Sequence, residues 1–550
     1  NAITGVVGGW LDSIPMLVLS GQVRYDTTAH STGLGIRAMG DQEFEITKAI
    51  DCMTKYSEMV LDPMRIRFCL EKSLYLAQTG RPGPCWLDIP LNVQGAYIET
   101  EALLGFDKDD YEAGGTGWSG HGTGCSGCTI CMMNKIEGKP AMIPSDVSGQ
   151  GEKRVKLPDP VTVEQAREIL KKVREAKRPV IMLGHGVDSS FSQQKLIRFA
   201  QKRQIPIITS VLAKSVLGYD HPLNFGCIGG AYGHRYANMI ANAKSDLLLC
   251  FGISLCTRQI GTKVHEFARG AKIIRIDIDP YNLQRDIHEN GENEVKLQAE
   301  TGAVIDCLAK VDDPDIEGVS DWLNVCTEIK ENLQAVDDAT PERYPNRMIA
   351  DLSDMLEDTS AIAVDVGQHM VWSYQSFHNQ QGQKTLFSGG HGAMGYALPA
   401  AIGAYYATGK PVACICGDGA FQMNIQELQW VKRENIPVKM IVMNNEALGM
   451  IRHLQRDYFD CVYADTSDGS GFSSCDFTDV AQAYGIPAKR IQGEDVEKYA
   501  GGFLEQNGPE LLEIMLEHGT YAYPKTCLGE PIHNQQPYIP KPIFDELMEL

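Results

Sequence analysis

The chain has 550 residues, too many for one core, and at ~150 residues per domain it implies three or four folded units. Hydrophobic residues make up 43% and charged residues 22%, the balance of an ordinary globular protein. A formal net charge of −21 argues against general binding to nucleic acid or to anionic membranes.

No apolar run approaches the ~18 residues of a membrane span, and no signal peptide opens the chain. Sixteen cysteines spread over this length do not suggest a disulfide scaffold. An acidic cytoplasmic protein is the expectation.

In chain order, Val6 to Leu11 reads as the end of a helix, and the apolar run Met16 to Leu19 as a buried parallel strand. Arg81 to Pro90 is a turn followed by a second buried strand. Residues 99–157 are irregular. Gly114-Gly115-Thr116-Gly117-Trp118 and Gly120-His121-Gly122 have loop composition. Cys125, Cys128 and Cys131 make two overlapping C-x-x-C pairs. With His121 they could hold Zn²⁺ or an iron–sulfur cluster. The other reading is a long connection with incidental cysteines, and the spacing leaves both open.

Residues 158–311 form an α/β unit. Val163 to Val173 is amphipathic, and Pro179 to Leu183, Leu247 to Phe251 and Ile273 to Ile278 read as strands. Residues 312–345 are acidic and polar and read as a linker. A last unit, 346–550, opens with a helix from Asn346, followed by a strand, Ala361 to Val364.

The most informative stretch is Ile415-Cys416-Gly417-Asp418-Gly419-Ala420, running on to Met443-Asn444-Asn445-Glu446. An apolar run of strand length precedes the glycines, a helical pattern follows, and Val438 to Met443 is a second strand. That is a βαβ unit with its polar residues at the carboxyl ends of parallel strands, where ligands bind in open α/β sheets. The glycines let the backbone approach a phosphate. Asp418 and Asn445 offer hard oxygens suited to Mg²⁺.

Gly-Asp-Gly followed 24 residues later by Asn-Asn resembles the diphosphate motif of thiamine-diphosphate (ThDP) enzymes. Asp365-Val366-Gly367-Gln368-His369 and Gly390-His391-Gly392-Ala393-Met394-Gly395 resemble two further motifs of the acetolactate synthase-like branch. The resemblance implies an α/β fold of three doubly wound parallel-sheet domains. These are a pyrimidine-binding domain (1–98), a linker or insertion (99–157), a central Rossmann-like domain (158–311) and, after the linker, a diphosphate-binding domain with a C-terminal tail (346–550).

It also implies the site. Asp418, Asn445 and Ala447 would hold the metal. Val366, Gly367, Gln368, His369, Gly417, Gly419, Ala420, Gly449 and Met450 would hold the coenzyme with them. Met394 would wedge between the coenzyme's two rings, the Gly392 carbonyl would accept from its amino group, and Gln42 would lie near the substrate. The central domain binds FAD in some relatives and nothing in others. Gly184, Gly186 and Arg258 stand where flavin-binding members touch it.

The implied activity is decarboxylating carboligation, with ThDP and Mg²⁺ transferring a two-carbon acyl anion from a 2-ketoacid, pyruvate, to an acceptor carbonyl. A plain 2-ketoacid decarboxylase and an inactive ThDP-fold subunit are the alternatives. The implied working unit is a homodimer or homotetramer, with no nucleic-acid or membrane partner.

The sequence departs from the family pattern twice. Leu91 stands where acetolactate synthases carry a substrate-side lysine, so a 2-ketoacid acceptor is in doubt. The glutamate that activates the coenzyme does not occur in the chain, which reads as a fragment or as half of a split enzyme. The tail from His518 to Pro540 is expected to be a lid over the site or an arm on a neighbouring subunit.

Overall fold

The computed structural model describes residues 2–32, 43–118, 158–189, 192–311, 319–337, 339–504 and 507–550. The chain divides into two compact units, 1–157 and 158–550.

The first unit contains helix α1 (Ala2–Leu11) and strand β1 (Met16–Gln22), then β2 (Tyr56–Met59), α2 (Ile66–Gln78) and β3 (Pro84–Pro90). The strands form a parallel sheet in the order β1-β3-β2. Its core is Tyr56, Phe68, Leu76, Cys85 and Leu87, against which Phe106, Tyr111 and Trp118 also pack. Residues 99–118 therefore belong to this unit and are not a free linker. Aromatic side chains spaced along a glycine-rich stretch carry no helical or strand period, so their burial left no pattern in the sequence. Cys125, Cys128, Cys131 and His121 lie outside the described residues.

The second unit begins with α3 (Val163–Glu175), whose N-terminus is closed by a reciprocal Thr162–Gln165 capping box. The strands β4 (Pro179–Leu183), β5 (Ile207–Thr209), β6 (Asn224–Cys227), β7 (Leu247–Phe251), β8 (Lys272–Asp277) and β9 (Glu294–Gln298) follow. Helix α4 (Gln193–Arg203) lies between β4 and β5, and α5 (Thr301–Lys310) follows β9. All six strands are parallel, in the order β6-β5-β4-β7-β8-β9. Alternate residues serve opposite faces: Ile181 and Leu183 enter one core, Val180 and Met182 the other. Helices cover both faces, the reason these strands are apolar throughout.

Inside the stretch read as a linker, α6 (Ser320–Asn332) is a helix of this central half. Trp322, Cys326 and Ile329, with Leu333 beyond its end, are buried in the second core. The Trp322 indole N–H donates to the Pro179 carbonyl at 3.0 Å. The apolar positions recur at helical spacing, but among acidic neighbours their period is weak.

The C-terminal half contains α7 (Pro345–Met355), β10 (Ala361–Val364), α8 (Gln368–Ser376), β11 (Lys384–Phe387), α9 (Ala397–Thr408), β12 (Val412–Gly417), β13 (Val438–Asn444), α10 (Gly449–Tyr458), β14 (Ala488–Gln492) and β15 (Glu510–Met515). The sheet is parallel, in the order β11-β10-β12-β13-β15-β14. From β10 the chain crosses to β11 on one side, and β12 then lies on the other. The switch point of the sheet is thus at the carboxyl ends of β10 and β12, where a crevice opens for a ligand.

The tail does not depart from its own chain. Ile532, Ile539, Phe544 and Leu547 pack on the central half's second core, and α11 (Lys541–Glu549) ends the chain there. Among the described residues no helix is long and apolar enough to cross a membrane.

Candidate functional site

The loops after β10, β12 and β13 converge at the switch point. Gly417 and Met443 are register partners, so Asp418 and the Asn444-Asn445 pair leave neighbouring strands side by side. Asp418 is 3% exposed, and burial pushes its carboxyl up to about 7. Its Oδ2 accepts the Ala447 N–H at 3.0 Å, drawing the loop after β13 onto it. Glu446, between Asn445 and Ala447, has a φ of +52°, a left-handed turn unusual for a residue with a side chain. Strain of this kind tends to gather at functional loops.

Gln368, the first residue of α8, ties three segments together. Its Oε1 accepts from Asn445 Nδ2 at 3.1 Å, and its Nε2 donates to the Thr520 carbonyl at 2.9 Å. His518 Nδ1 lies 2.7 Å from the Asn445 carbonyl. Gly449, the first residue of α10, sits so close that a Cβ there would overlap the Gln368 amide and crowd Asn445. The N-termini of α8 and α10 both open on this place, and helix N-termini favour anions.

His369 is buried against Gly367 and Gly417, where a Cβ would run into its ring. Its Nε2 has no hydrogen-bond partner among the described residues, and burial lowers its pKa to about 3, so the imidazole is neutral at pH 7. A buried ring nitrogen without a partner is costly unless a ligand supplies one.

Opposite lies the loop 389–397. Asp365, at the tip of β10, accepts three backbone N–H groups: Val366 at 2.8 Å, Gly395 at 2.9 Å and Ala397 at 2.8 Å. The Asn424 amide donates to the Gly395 carbonyl at 2.5 Å. Gly392 and Gly395 have φ values of +69° and +83°, which a side chain would strain. The loop holds Met394 at the rim, 36% exposed, and its Cε comes within 3.3 Å of where a Cβ on Gly419 would stand. An apolar side chain kept out of the core beside a backbone cradle fits a flat ring better than water does.

These contacts bring Gly367, Gln368, His369, Gly417, Asp418, Asn445, Ala447 and Gly449 together at the strand tips and set Met394 against Gly419, with Gly392 on the Met394 loop; Val366, Ala420 and Met450 are chain neighbours of these residues. Gln42 lies outside the described residues. Gly184 and Gly186 stand at the carboxyl end of β4, and Arg258 lies beside the 389–392 loop. A Cβ on either glycine would run into the backbone around Gly252, so close packing of two strand ends explains both. Arg258 Nη1 donates to the Gly389 carbonyl, and its Nη2 lies 3.2 Å from the Cβ position of Gly392. Asp365, Glu446, His518 and Thr520 were not singled out by sequence reasoning. Their parts are backbone contacts that only the folded chain creates.

The donor set is a buried carboxylate, an amide and the backbone at Ala447, beside the open Nε2 of an imidazole and two helix N-termini. One oxygen-rich side suits a hard divalent cation, and the other suits a diphosphate. Among the described residues no cluster of three or more His, Cys, Asp or Glu could hold a metal. The set here is not of that kind.

A doubly wound fold with helix N-termini gathered at its switch point defines a phosphate-binding α/β protein. Residues 365–514 match the family "Thiamine pyrophosphate enzyme, C-terminal TPP binding domain", and residues 166–308 match its "central domain". The whole chain is 30% identical to a "Probable acetolactate synthase large subunit" of Methanocaldococcus jannaschii, covering 86% of that protein. It is 29% identical over 96% of its length to "Acetolactate synthase 1, chloroplastic" of Zea mays, and 30% identical over 96% to the enzyme of that name from Oryza sativa, covering 75% of each. The chain belongs to the acetolactate synthase-like family of ThDP-dependent enzymes.

Proposed function

We propose that this chain is a ThDP- and Mg²⁺-dependent decarboxylating carboligase, transferring a two-carbon acyl anion from pyruvate or a similar 2-ketoacid to an acceptor carbonyl. The observation that carries this reading is the meeting of Asp418, Asn445 and Ala447 at neighbouring strand tips beside His369, whose Nε2 has no partner among the described residues. Asp418 and Asn445 with the Ala447 carbonyl would hold Mg²⁺. Gln368, His369 and the N–H groups at Gly449 and Met450 would bind the diphosphate. When bound, the coenzyme supplies the carbon nucleophile and the electron sink.

The chain's own residues bind, orient and exclude water. Asp365 fixes the 392–397 loop, so that Met394 and the Gly392 carbonyl address the coenzyme's pyrimidine. Arg258 brings a guanidinium against that loop, and a cation there suits the carboxylate of a 2-ketoacid. The reaction as proposed draws no step from FAD. Leu91 is 57% exposed and cannot pair with an acid, which favours an acceptor without a carboxylate at that point. We place the working protein as a cytoplasmic homo-oligomer, dimer or tetramer, with small-molecule substrates and no nucleic-acid or membrane partner.

Calorimetry of the full chain with ThDP and Mg²⁺ tests the site. Binding that Asp418→Ala abolishes is expected; no binding, or binding that the substitution leaves alone, would sink it. Product analysis with pyruvate separates ligation from simple decarboxylation. A coupled ketol supports the carboligase, and free aldehyde alone supports the decarboxylase.

A further inference from the structure

Strand β15 carries a carboxylate in the middle of an apolar run. Leu511, Leu512 and Ile514 are buried, and Glu513 among them is 0% exposed. Its register partners are Val442 on β13 and Arg490 on β14. Side chains alternate between faces along a strand, so Asn444, two residues beyond Val442, shares the face of Glu513. Burying a charge is expensive, and a buried ion pair seldom repays that cost in stability. The Glu513–Arg490 pair is better explained by what it orients than by the stability it adds.

The contacts around Glu513 form a line that ends in the loop after β13. Arg490 Nε and Nη2 donate to Glu513 Oε2 at 2.9 and 2.8 Å. Asn444 Nδ2 donates to Glu513 Oε1 at 2.7 Å, and Asn444 Oδ1 accepts the Glu446 N–H at 2.8 Å. An ionised carboxylate only accepts, and a backbone N–H only donates. The amide between them has one end of each kind, so both ends are satisfied in one orientation. Turned over, it would set donor against donor at Glu446 and acceptor against acceptor at Glu513. Glu446 is the residue held at a φ of +52°, and its two chain neighbours are Asn445 and Ala447.

We propose that Glu513 is a positioning residue for the metal-binding loop. Resting on the ThDP and Mg²⁺ reading above, it fixes the Asn444 amide. Through that amide it fixes the turn at Glu446, which brings Asn445 and Ala447 to Asp418. Strand β15 lies beside β13 on the side away from β12, so Glu513 acts through Asn444 and not on the ion itself. Glu513→Gln keeps the shape of the side chain but adds a donor. With its oxygen turned to Arg490, its NH₂ faces Asn444. Asn444 then either stays against a donor or turns over and leaves the Glu446 N–H without an acceptor.

Glu510 supplies the control. It lies three residues earlier on β15, is 1% exposed and pairs with Lys439 at the end of the strands away from the crevice. In Glu513→Gln, the Mg²⁺ needed for half-saturation with ThDP, read by calorimetry on the full chain, should rise about tenfold. That is the usual cost of losing an outer partner of a metal ligand. In the chain free of coenzyme, hydrogen exchange of the peptide 444–449 should become faster. Glu510→Gln should lower the melting temperature and move neither readout. Asn444→Ala, which removes the link and leaves the ion pair, should repeat both changes and serves if Glu513→Gln folds poorly. An unchanged Mg²⁺ requirement with unchanged exchange, or equal changes from Glu510→Gln, overturns the proposal. A wild type that bound no ThDP would sink the reading of the crevice, and exchange would still decide the part played by Glu513.

Discussion

Asp365 sits at the β10 tip with its carboxylate 1% exposed, and burial raises its pKa to about 6 despite three backbone N–H donors. The folded-state value lies above the unfolded 3.8, so the folded chain holds a proton that the unfolded chain has released between about pH 4 and 6. This group's contribution to stability is full below pH 4 and falls as pH rises through 6. Asp365→Asn cannot titrate, and its NH₂ must face the Ala397 or Gly395 N–H. We expect it to cost about 1–3 kcal/mol, the penalty for a buried donor left unpaired. The gap to wild type should narrow from pH 4.5 to pH 7.5 in urea unfolding. ThDP affinity should fall about tenfold as the Met394 loop loosens, a change of about 1.4 kcal/mol. Unchanged affinity in Asp365→Asn would remove Asp365 from the positioning of that loop. Gly449→Ala is a sharper probe. Its Cβ would displace the Gln368 amide, so ThDP binding should drop at least tenfold in calorimetry, with a stability loss of about 1–3 kcal/mol from overpacking.

At the scale of elements, the buried parallel strands were legible because they are continuous apolar runs bounded by glycine, proline or polar loops. Met16–Gln22, Pro84–Pro90, Val412–Gly417 and Val438–Asn444 lie within a few residues of where the sequence puts them. The loop motifs were legible too, since Asp418, Asn445 and Met394 owe their chemistry to residue type at fixed spacing. What escaped is what tertiary contact alone decides. The helical pattern read from Ile425 to Val431 begins as 3₁₀: Gln422–Glu427 is 3₁₀ and kinks at Asn424, whose amide is committed to Gly395, and the α-helix starts only at Leu428. Helix α6 escaped because Trp322, Cys326 and Ile329 are its only buried residues among charged neighbours. Trp322→Ala removes a large buried ring and the bond to Pro179. It should cost about 3–5 kcal/mol in urea unfolding. A loss under 1 kcal/mol would return this segment to the status of a linker.

At the scale of the whole chain, the tail joins the two halves of the second unit. Thr520 and His518 stand at the crevice, and the chain then runs on to the central half. There Ile532 O accepts from Asn238 Nδ2 at 2.8 Å, Gln535 Nε2 donates to Gly233 O at 2.9 Å, and Lys244 Nζ donates to Met548 O at 2.7 Å. Ile532 is 3% exposed and Leu547 2%. The strap therefore divides into a part that touches the site and a part that seals a core, and the two should separate by mutation. Ile532→Ala should destabilise the protein by about 2–5 kcal/mol, as for other buried aliphatic truncations. It should leave ThDP affinity within about threefold, because its contacts lie on the central half. Thr520→Pro should do the reverse. Its carbonyl shifts with the altered backbone, the Gln368 amide loses its acceptor, and coenzyme affinity falls while the central core stays packed. Hydrogen exchange distinguishes the two cases, with faster exchange in β6 to β8 expected only for Ile532→Ala. Equal loosening of that sheet in both variants would mean that the tail acts as one piece, and that lid and seal are the same device.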